Sequence, residues 1–287
     1  MKTDSIVLPT SQSDATLLKR VAVVQVVCVA ISALIAVLIL LAWLVKGMRA
    51  WYPAGWSLMK FDTALSALLS AAGLALLSTG SSPLRTWAAR AAALLLALLA
   101  MVALYEHASG RLTGFDTLFA VDITSNEPGL MSVQTAIYFV LMALGLSLAT
   151  VQHPRVGMVV AVLALLLSLH ALIIFSGYCF DAVQLFGQNM STRTSPQTLA
   201  CMLLMAFALI GWRMQLGYFP VLTGTGLGSR MVRQALPLAL LLPFVLMLGG
   251  TALARVGWLS PAVAVGLTIA VLAALTLRIR PKGFSHG

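Results

Sequence analysis

Residues 21–45 read VAVVQVVCVAISALIAVLILLAWLV, an apolar run without any formal charge. An α-helix rises about 1.5 Å per residue, so roughly 20 such residues cross the hydrocarbon core of a bilayer. The run is longer than the apolar region of a cleaved signal peptide, and no small-residue cleavage site accompanies it. We therefore predict that this segment stays in the protein as a membrane-spanning helix.

Seven more apolar runs follow along the chain, and the composition fits them. Hydrophobic residues make up 60% of the chain and charged residues only 9%, whereas soluble domains carry about 25% charged residues. Backbone groups in lipid must be hydrogen-bonded within the spanning structure, and uninterrupted runs suit helices better than barrel strands. The sequence predicts an all-α integral membrane protein with eight transmembrane helices at 21–45, 62–78, 87–105, 133–150, 156–178, 197–212, 236–253 and 260–277.

The distribution of basic residues predicts that both termini lie in the cytoplasm. With the N-terminus inside, the cytoplasmic segments hold 12 of the 18 lysines and arginines, which is the bias that the positive-inside rule describes. We therefore predict cytoplasmic tails at 1–20 and 279–287 around a membrane domain at 21–278, in a bacterial inner membrane. The net charge of +10 then reflects topology, so the lipid bilayer, and not nucleic acid, is the expected partner.

The chain contains an internal repeat. Three spans that are predicted to enter from the outer side begin with a polar residue and a threonine, and each has a small residue followed by leucine further along. Small residues allow helices to approach closely in lipid. We predict repeat units at about 60–130, 131–195 and 196–234, and a final hairpin at 235–278. The polar starts are Asp62-Thr63, Gln134-Thr135 and Gln197-Thr198, and the small residues are Gly73, Gly145 and Ala208.

Two interpretations of these polar starts stay open. Ser132 and Ser195 stand just before two of the helices, where a short hydroxyl side chain can cap the free N–H groups of the first turn. The sharper interpretation is a ring of polar groups around a shared outer pocket, to which Gln134 and Gln197 would belong.

Six of the eight acidic residues fall on the predicted outer side. They are either solvated loop charges or part of an outer ligand or metal site. The loop residues lack regular ligand spacing, and Glu106, His107 and Asp116 are the candidates for a divalent cation. The full set of ligand-binding candidates is Glu106, His107, Asp116, Asp122, His170, Tyr178, Asp181, Gln134 and Gln197.

A b-type haem held by His107 and His170 is a further hypothesis. Placed by helical rise from the outer ends of their spans, the two histidines lie about 12 Å apart in depth, which argues against a shared iron. We expect instead that His170 is hydrogen-bonded to a neighbouring helix and that no cofactor is bound. Cys179 and Cys201 flank one outer loop, either as a disulfide or, as we expect, as small buried apolar side chains.

The interiors of the predicted spans lack formal charges, which bears on the class of function. Ionisable groups persist inside spans mainly where they carry ions, protons or catalysis. Their absence argues against a proton-coupled transporter and an ion pump. No Ser/His/Asp or Cys/His arrangement stands out, so we expect that the chain is not an enzyme.

Several short stretches carry a family resemblance. They are the polar-Thr-Ala helix starts, the segment from Leu222-Thr223 to Pro243, the segment Gly257-Trp258-Leu259-Ser260-Pro261-Ala262, and Tyr105-Glu106 with Gly114-Phe115-Asp116. Over about residues 20–280 the chain resembles the N-terminal, MASE-type membrane domain of bacterial PAS, GGDEF and histidine-kinase signalling proteins. In that family the first polar residue of each repeat is usually Asn, where this chain has Asp62, Gln134 and Gln197.

The resemblance implies a sensory module that perceives a ligand or a membrane state at its outer face. Family members usually continue into an output domain, whereas this sequence ends about ten residues after the last predicted span. It is then either a stand-alone sensor or a piece of a longer chain, with a cytoplasmic kinase or cyclase as output partner and a homo-oligomer as one arrangement. The competing hypotheses are a small-solute transporter and a non-catalytic subunit of a membrane enzyme complex, with haem or redox chemistry.

Overall fold

The computed structural model consists of helices, and the residues that it describes contain no strand. Those residues are 15–45, 47–48, 58–78, 82–114, 129–151, 153–180, 182, 193–212, 242, 244–258, 260, 263 and 265–271. The helices are α1 Ala15–Leu44, α2 Phe61–Ser78, α3 Pro83–Ser109, α4 Val133–Ala149, α5 Pro154–Phe180, α6 Pro196–Gly211, α7 Phe244–Arg255 and α8 265–271.

The helical membrane class is confirmed in its coarse form. Four helices, α1, α2, α3 and α5, are long and apolar enough to cross a bilayer, and α4, α6 and α7 are shorter apolar helices. The count of eight spans and the orientation of the termini stay predictions. We call the side at which α2, α4 and α6 begin the entry side, which the sequence predicts to face outward, and the opposite side the exit side.

Several helix boundaries differ from the predicted spans. α1 begins at Ala15, within the predicted tail, and α3 extends from Pro83 to Ser109. Ser82 caps α3, because its side chain accepts a hydrogen bond from the N–H of Arg85, and Gly110 ends α3 in the left-handed conformation at φ 65°. Glu106 and His107, which follow the predicted span 87–105, therefore lie in the last turn of α3. Arg90 lies in its second turn, inside the predicted span 87–105, so the expectation that span interiors carry no formal charge is wrong for α3.

Helices α1 to α6 contact one another in a closed ring, and the repeated helices α2, α4 and α6 lie on its inner side. Going round the ring, α1 contacts α2, α2 contacts α3, and so on to α6, which contacts α1 again. In addition, α2, α4 and α6 contact one another across the middle. The three helices that begin alike in sequence are thus the inner helices, and α1, α3 and α5 fill the three spaces between them.

The repeated small residues are the points at which the inner helices touch. A Cβ atom added to Gly73 of α2 would lie 3.0 Å from Cδ1 of Leu146 on α4. A Cβ added to Gly145 of α4 would lie 3.1 Å from Cδ2 of Leu209 on α6. Each leucine is fully buried or nearly so. The leucine of one repeat therefore packs on the glycine of the repeat before it, and a Cβ at either glycine would press on the leucine methyl groups.

This packing predicts a position-specific sensitivity to larger side chains. Gly73→Leu should destabilise the protein by about 1–3 kcal/mol, because the added side chain must displace Leu146. Gly249→Leu is the matched control, since Gly249 lies in α7 and has nothing within 4 Å of the added Cβ. The measurement is thermal unfolding of the full chain in detergent. Equal loss of stability in both variants would contradict the close contact.

Candidate functional site

The serines that precede the polar starts of α4 and α6 are helix caps. The Ser132 hydroxyl accepts a hydrogen bond from the N–H of Thr135 at 3.1 Å, and the Ser195 hydroxyl accepts one from the N–H of Thr198 at 3.2 Å. Both serines are in extended backbone conformation, as capping residues usually are. The predicted capping role of the two serines is therefore confirmed.

The caps are also joined to each other through buried hydroxyl groups. The Ser132 hydroxyl oxygen lies 2.7 Å from Oγ1 of Thr135 and 2.8 Å from Oγ1 of Thr194, and the two threonine hydroxyls are 3.3 Å apart. All three side chains are at most 5% exposed. We call Ser132, Thr135 and Thr194 the hydroxyl cluster. It bonds the start of α4 to the segment that leads into α6.

The residues just before α2, α4 and α6, which we call the entry segments, are each held by an aromatic side chain on the helix that precedes them in sequence. In each case the ring donates to the carbonyl oxygen three residues before the repeated polar residue. Because a carbonyl only accepts, the nitrogen or hydroxyl of the ring must carry the proton. We call these contacts the ring clamps: Trp43 Nε1 to Met59 O at 2.8 Å, His107 Nε2 to Met131 O at 2.8 Å, and the Tyr178 hydroxyl to Thr194 O.

The ring clamps repeat in position although the donor changes in kind. An indole on α1, an imidazole on α3 and a phenol on α5 hold α2, α4 and α6 respectively. A net contribution of about 0.5–1.5 kcal/mol is typical of such a hydrogen bond. α1, α3 and α5 thus fix where α2, α4 and α6 begin. Tyr178 also joins its ring clamp to the hydroxyl cluster, because Thr194 belongs to both.

Both histidine candidates donate to backbone. His170 Nε2 on α5 lies 2.9 Å from the carbonyl oxygen of Gln134 on α4, which is the bond to a neighbouring helix that we expected. Together with the clamp made by His107, this places both Nε2 atoms against carbonyl groups. An iron or other metal would have to be bound through Nδ1 or in place of these bonds. The described residues contain no group of three or more His, Cys, Asp or Glu that could hold a metal ion.

The buried acids at the entry side belong to helix ends. Glu106 is 2% exposed, and its Oε1 accepts from the N–H of Thr113 at 2.6 Å and from the hydroxyl of Thr113 at 2.5 Å. It therefore orders the turn after α3. Asp62 is equally buried in the first turn of α2, where a negative charge is favoured by the helix dipole. Asp116, Asp122 and Asp181, the other acidic candidates, lie outside the described residues.

Gln197 differs from the other candidates in its bonding. Both polar atoms of its side chain are buried and make no hydrogen bond to any residue that the structure describes. Gln134, the equivalent residue of α4, is half-buried and offers its backbone carbonyl to His170. A buried amide with neither its donor nor its acceptor satisfied is uncommon and calls for an explanation. It lies one residue before Thr198, at the start of α6.

The cysteines are not paired with each other. Cys201 on α6 is buried and directs its Sγ to the carbonyl oxygen of Ser32 on α1, at 3.9 Å. Cys179, on α5, is half-buried and carries a free thiol. The expectation of small buried side chains is confirmed at Cys201, whereas Cys179 is only half-buried.

Two kinds of functional contact were missed by sequence reasoning. The ring clamps join residues that are 16 or 24 positions apart and share no residue type, so no local pattern marks them. Tyr138 of α4 is fully buried and donates its hydroxyl to the carbonyl of Met202 on α6 at 2.6 Å. A lone tyrosine in the second turn of a predicted span was the available signal for this contact.

Comparison of this chain with protein-family models, with curated proteins and with solved structures gave no match.

The clamp at α6 can be tested by removing one hydroxyl group. Tyr178→Phe should lower stability by about 0.5–1.5 kcal/mol and speed deuterium exchange at the first amides of α6, because Thr194 loses its donor. Tyr105→Phe is the matched control, since Tyr105 is 59% exposed. Stability is measured by thermal unfolding and exchange by mass spectrometry. Unchanged exchange at residues 196–200 in Tyr178→Phe would show that the clamp does not hold this helix start.

Proposed function

We propose that this protein is a membrane-embedded sensory module, which perceives a ligand or a membrane state at its entry side and relays it to a partner at its exit side. The observation that carries the proposal is the bonded layer at the entry side. A ring clamp holds each of the three helix starts there, and the hydroxyl cluster joins the start of α4 to the segment before α6, next to the buried amide of Gln197.

The side-chain amide of Gln197 is the group in this layer to which a ligand would form hydrogen bonds. A molecule that offers both a donor and an acceptor would satisfy the amide, and would thereby favour one position of α6 over another. A ligand shifts a conformational equilibrium only by its difference in affinity for the two states. The Gln197 amide, which has no hydrogen-bond partner among the described residues, would supply such a difference, because the ligand would bond it in one state and not in the other.

The inner helices offer a direct path from this layer to the exit side. α4 and α6 are rods of 17 and 16 residues, so a displacement at the start is carried about 24 Å along each axis. Switching proteins often use shifts of about 1–2 Å between packed helices. The packing of Leu209 on Gly145 lets α6 and α4 move past each other in discrete steps, since close-packed surfaces are not continuously deformable.

The output would be received by a kinase or cyclase at the exit side, as in the signalling proteins that the sequence resembles. The described part of the chain has no arrangement of groups that favours catalysis, and the buried amide and hydroxyl layer favours perception over passage of ions. Transport of a small solute is the competing function, and the experiment below distinguishes the two.

The relay predicts that a change at the entry side alters spacing at the exit side. Thr135→Val removes one hydroxyl group of the hydroxyl cluster while keeping the side chain's shape. Spin labels at Ser78→Cys and Val151→Cys report the distance between the exit ends of α2 and α4, in a chain whose three native cysteines are alanine. We expect Thr135→Val to shift or broaden this distance by about 1–2 Å in nanodiscs.

Thr251→Val is the control, because Thr251 lies in α7 and its hydroxyl donates only to Leu248 O of its own helix. It should leave the distance unchanged. If Thr135→Val also leaves the distance unchanged, and the protein in liposomes moves a solute, the sensory proposal is wrong and transport takes its place.

A further inference from the structure

α3 carries a continuous apolar stripe that defines its position in the bilayer. With the small exposed residue Ala91 included, the stripe follows steps of three and four residues along the helix, and aromatic rings stand near both ends. Trp87 and Tyr105 are separated by 18 residues, or about 27 Å of helix, which is close to the thickness of the hydrocarbon core. Its large members are Leu84, Trp87, Leu94, Leu98, Met101 and Tyr105, each more than half exposed from the bundle.

Arg90 lies on the membrane side of this aromatic boundary. It is three residues beyond Trp87 toward the middle of the span, or about 4.5 Å deeper, and it is exposed on the bundle surface. A charged side chain at this depth is costly unless it reaches the interface or a counter-ion. Its guanidinium carbon lies 5.3 Å from the centre of the Trp87 ring, so the side chain bends back toward the exit side.

The guanidinium of Arg90 is fixed in this place. Its Nε donates to the hydroxyl oxygen of Thr150, the residue that ends α4, at 3.0 Å. This bond occupies one of the five N–H groups of the side chain, so the terminal nitrogens keep the paired geometry that binds phosphate. Thr150 is neutral and the Trp87 ring carries no charge, so neither neutralises the cation.

The acids that the structure describes lie at the other side of the membrane. They are Asp62 and Glu106, both at the entry side, and Glu106 is 16 residues, or about 24 Å, further along α3 than Arg90. Arg85 adds a second exposed positive charge one and a half turns before Arg90. The anion that a bilayer supplies at this depth is the phosphate of a phospholipid.

We propose that the exit-side end of α3 is a binding site for an anionic phospholipid headgroup. Arg90 binds the phosphate, Arg85 adds attraction for the net negative charge, and the exposed faces of Leu84 and Trp87 pack against the glycerol and upper acyl chains. A basic residue near a membrane surface attracts anionic lipid by about 1 kcal/mol. The site goes beyond the proposed sensory function and does not depend on it.

Lipid titration of the full chain tests this site. The protein is purified in a neutral detergent, and binding of phosphatidylglycerol and of phosphatidylcholine with the same acyl chains is measured by native mass spectrometry. Phosphatidylglycerol should bind about tenfold more tightly, and Arg90→Gln should reduce that preference to about threefold, because Arg85 still attracts the net negative charge. Arg111→Gln removes an exposed charge at the other end of α3 and should keep it.

Two further variants separate the site from a general loss of folding. Thr150→Val keeps the charge of Arg90 but releases its Nε, and should weaken the preference severalfold in a folded protein. Arg85→Gln should weaken it to a similar degree. Equal binding of the two lipids to the unaltered protein, or an equal loss in Arg90→Gln and Arg111→Gln, would overturn the proposal. Displacement of the lipid by millimolar inorganic phosphate would do the same, since the site would then bind free anions.

Discussion

The contact between the small residue of one inner helix and the leucine of the next is the constraint on which the bundle depends. Lipid gives no hydrophobic advantage to helix association, so helices in a membrane are held by close packing and by polar contacts. Leu146 packs on Gly73, and Leu209 packs on Gly145. With α2, α4 and α6 drawn together in this way, the outer helices can fill the three spaces around them, and all three entry segments come to the same side.

In the bundle, inner and outer helices alternate three times in an approximately threefold arrangement. In the third place the outer helix is α1, which precedes the repeats in sequence. α3 lies between α2 and α4, and α5 lies between α4 and α6. By the same rule the helix after α6 would lie between α6 and α2, but α1 contacts both of them. α7 contacts α5, where Phe244 stacks on Phe180 with ring centres 6.3 Å apart. α1 thus completes the ring of helices, and its Trp43 makes the ring clamp of the first repeat.

Part of this arrangement was predictable from sequence and part was not. Apolar runs located the first six helices, because span length follows directly from bilayer thickness. The repeat of small residues followed by leucine identified Gly73 and Gly145 as packing residues, because close helix approach requires a small side chain. The acids were harder to interpret, since Glu106 is buried and bonded to Thr113. The ring clamps depend on where distant segments meet, which no short pattern encodes.

The threefold packing of the inner helices is the central claim, and the third contact that it requires, between α6 and α2, tests it most directly. The repeat requires Leu74 of α2 to pack on Ala208 of α6, as Leu146 packs on Gly73. Cysteine pairs at 74 and 208 and at 73 and 146, each in a chain whose native cysteines are alanine, should both cross-link under mild oxidation in membranes. A pair at 74 and 94 should not, because Leu94 faces away from the bundle at 62% exposure. Cross-linking at 73 and 146 without any at 74 and 208 would contradict the threefold arrangement.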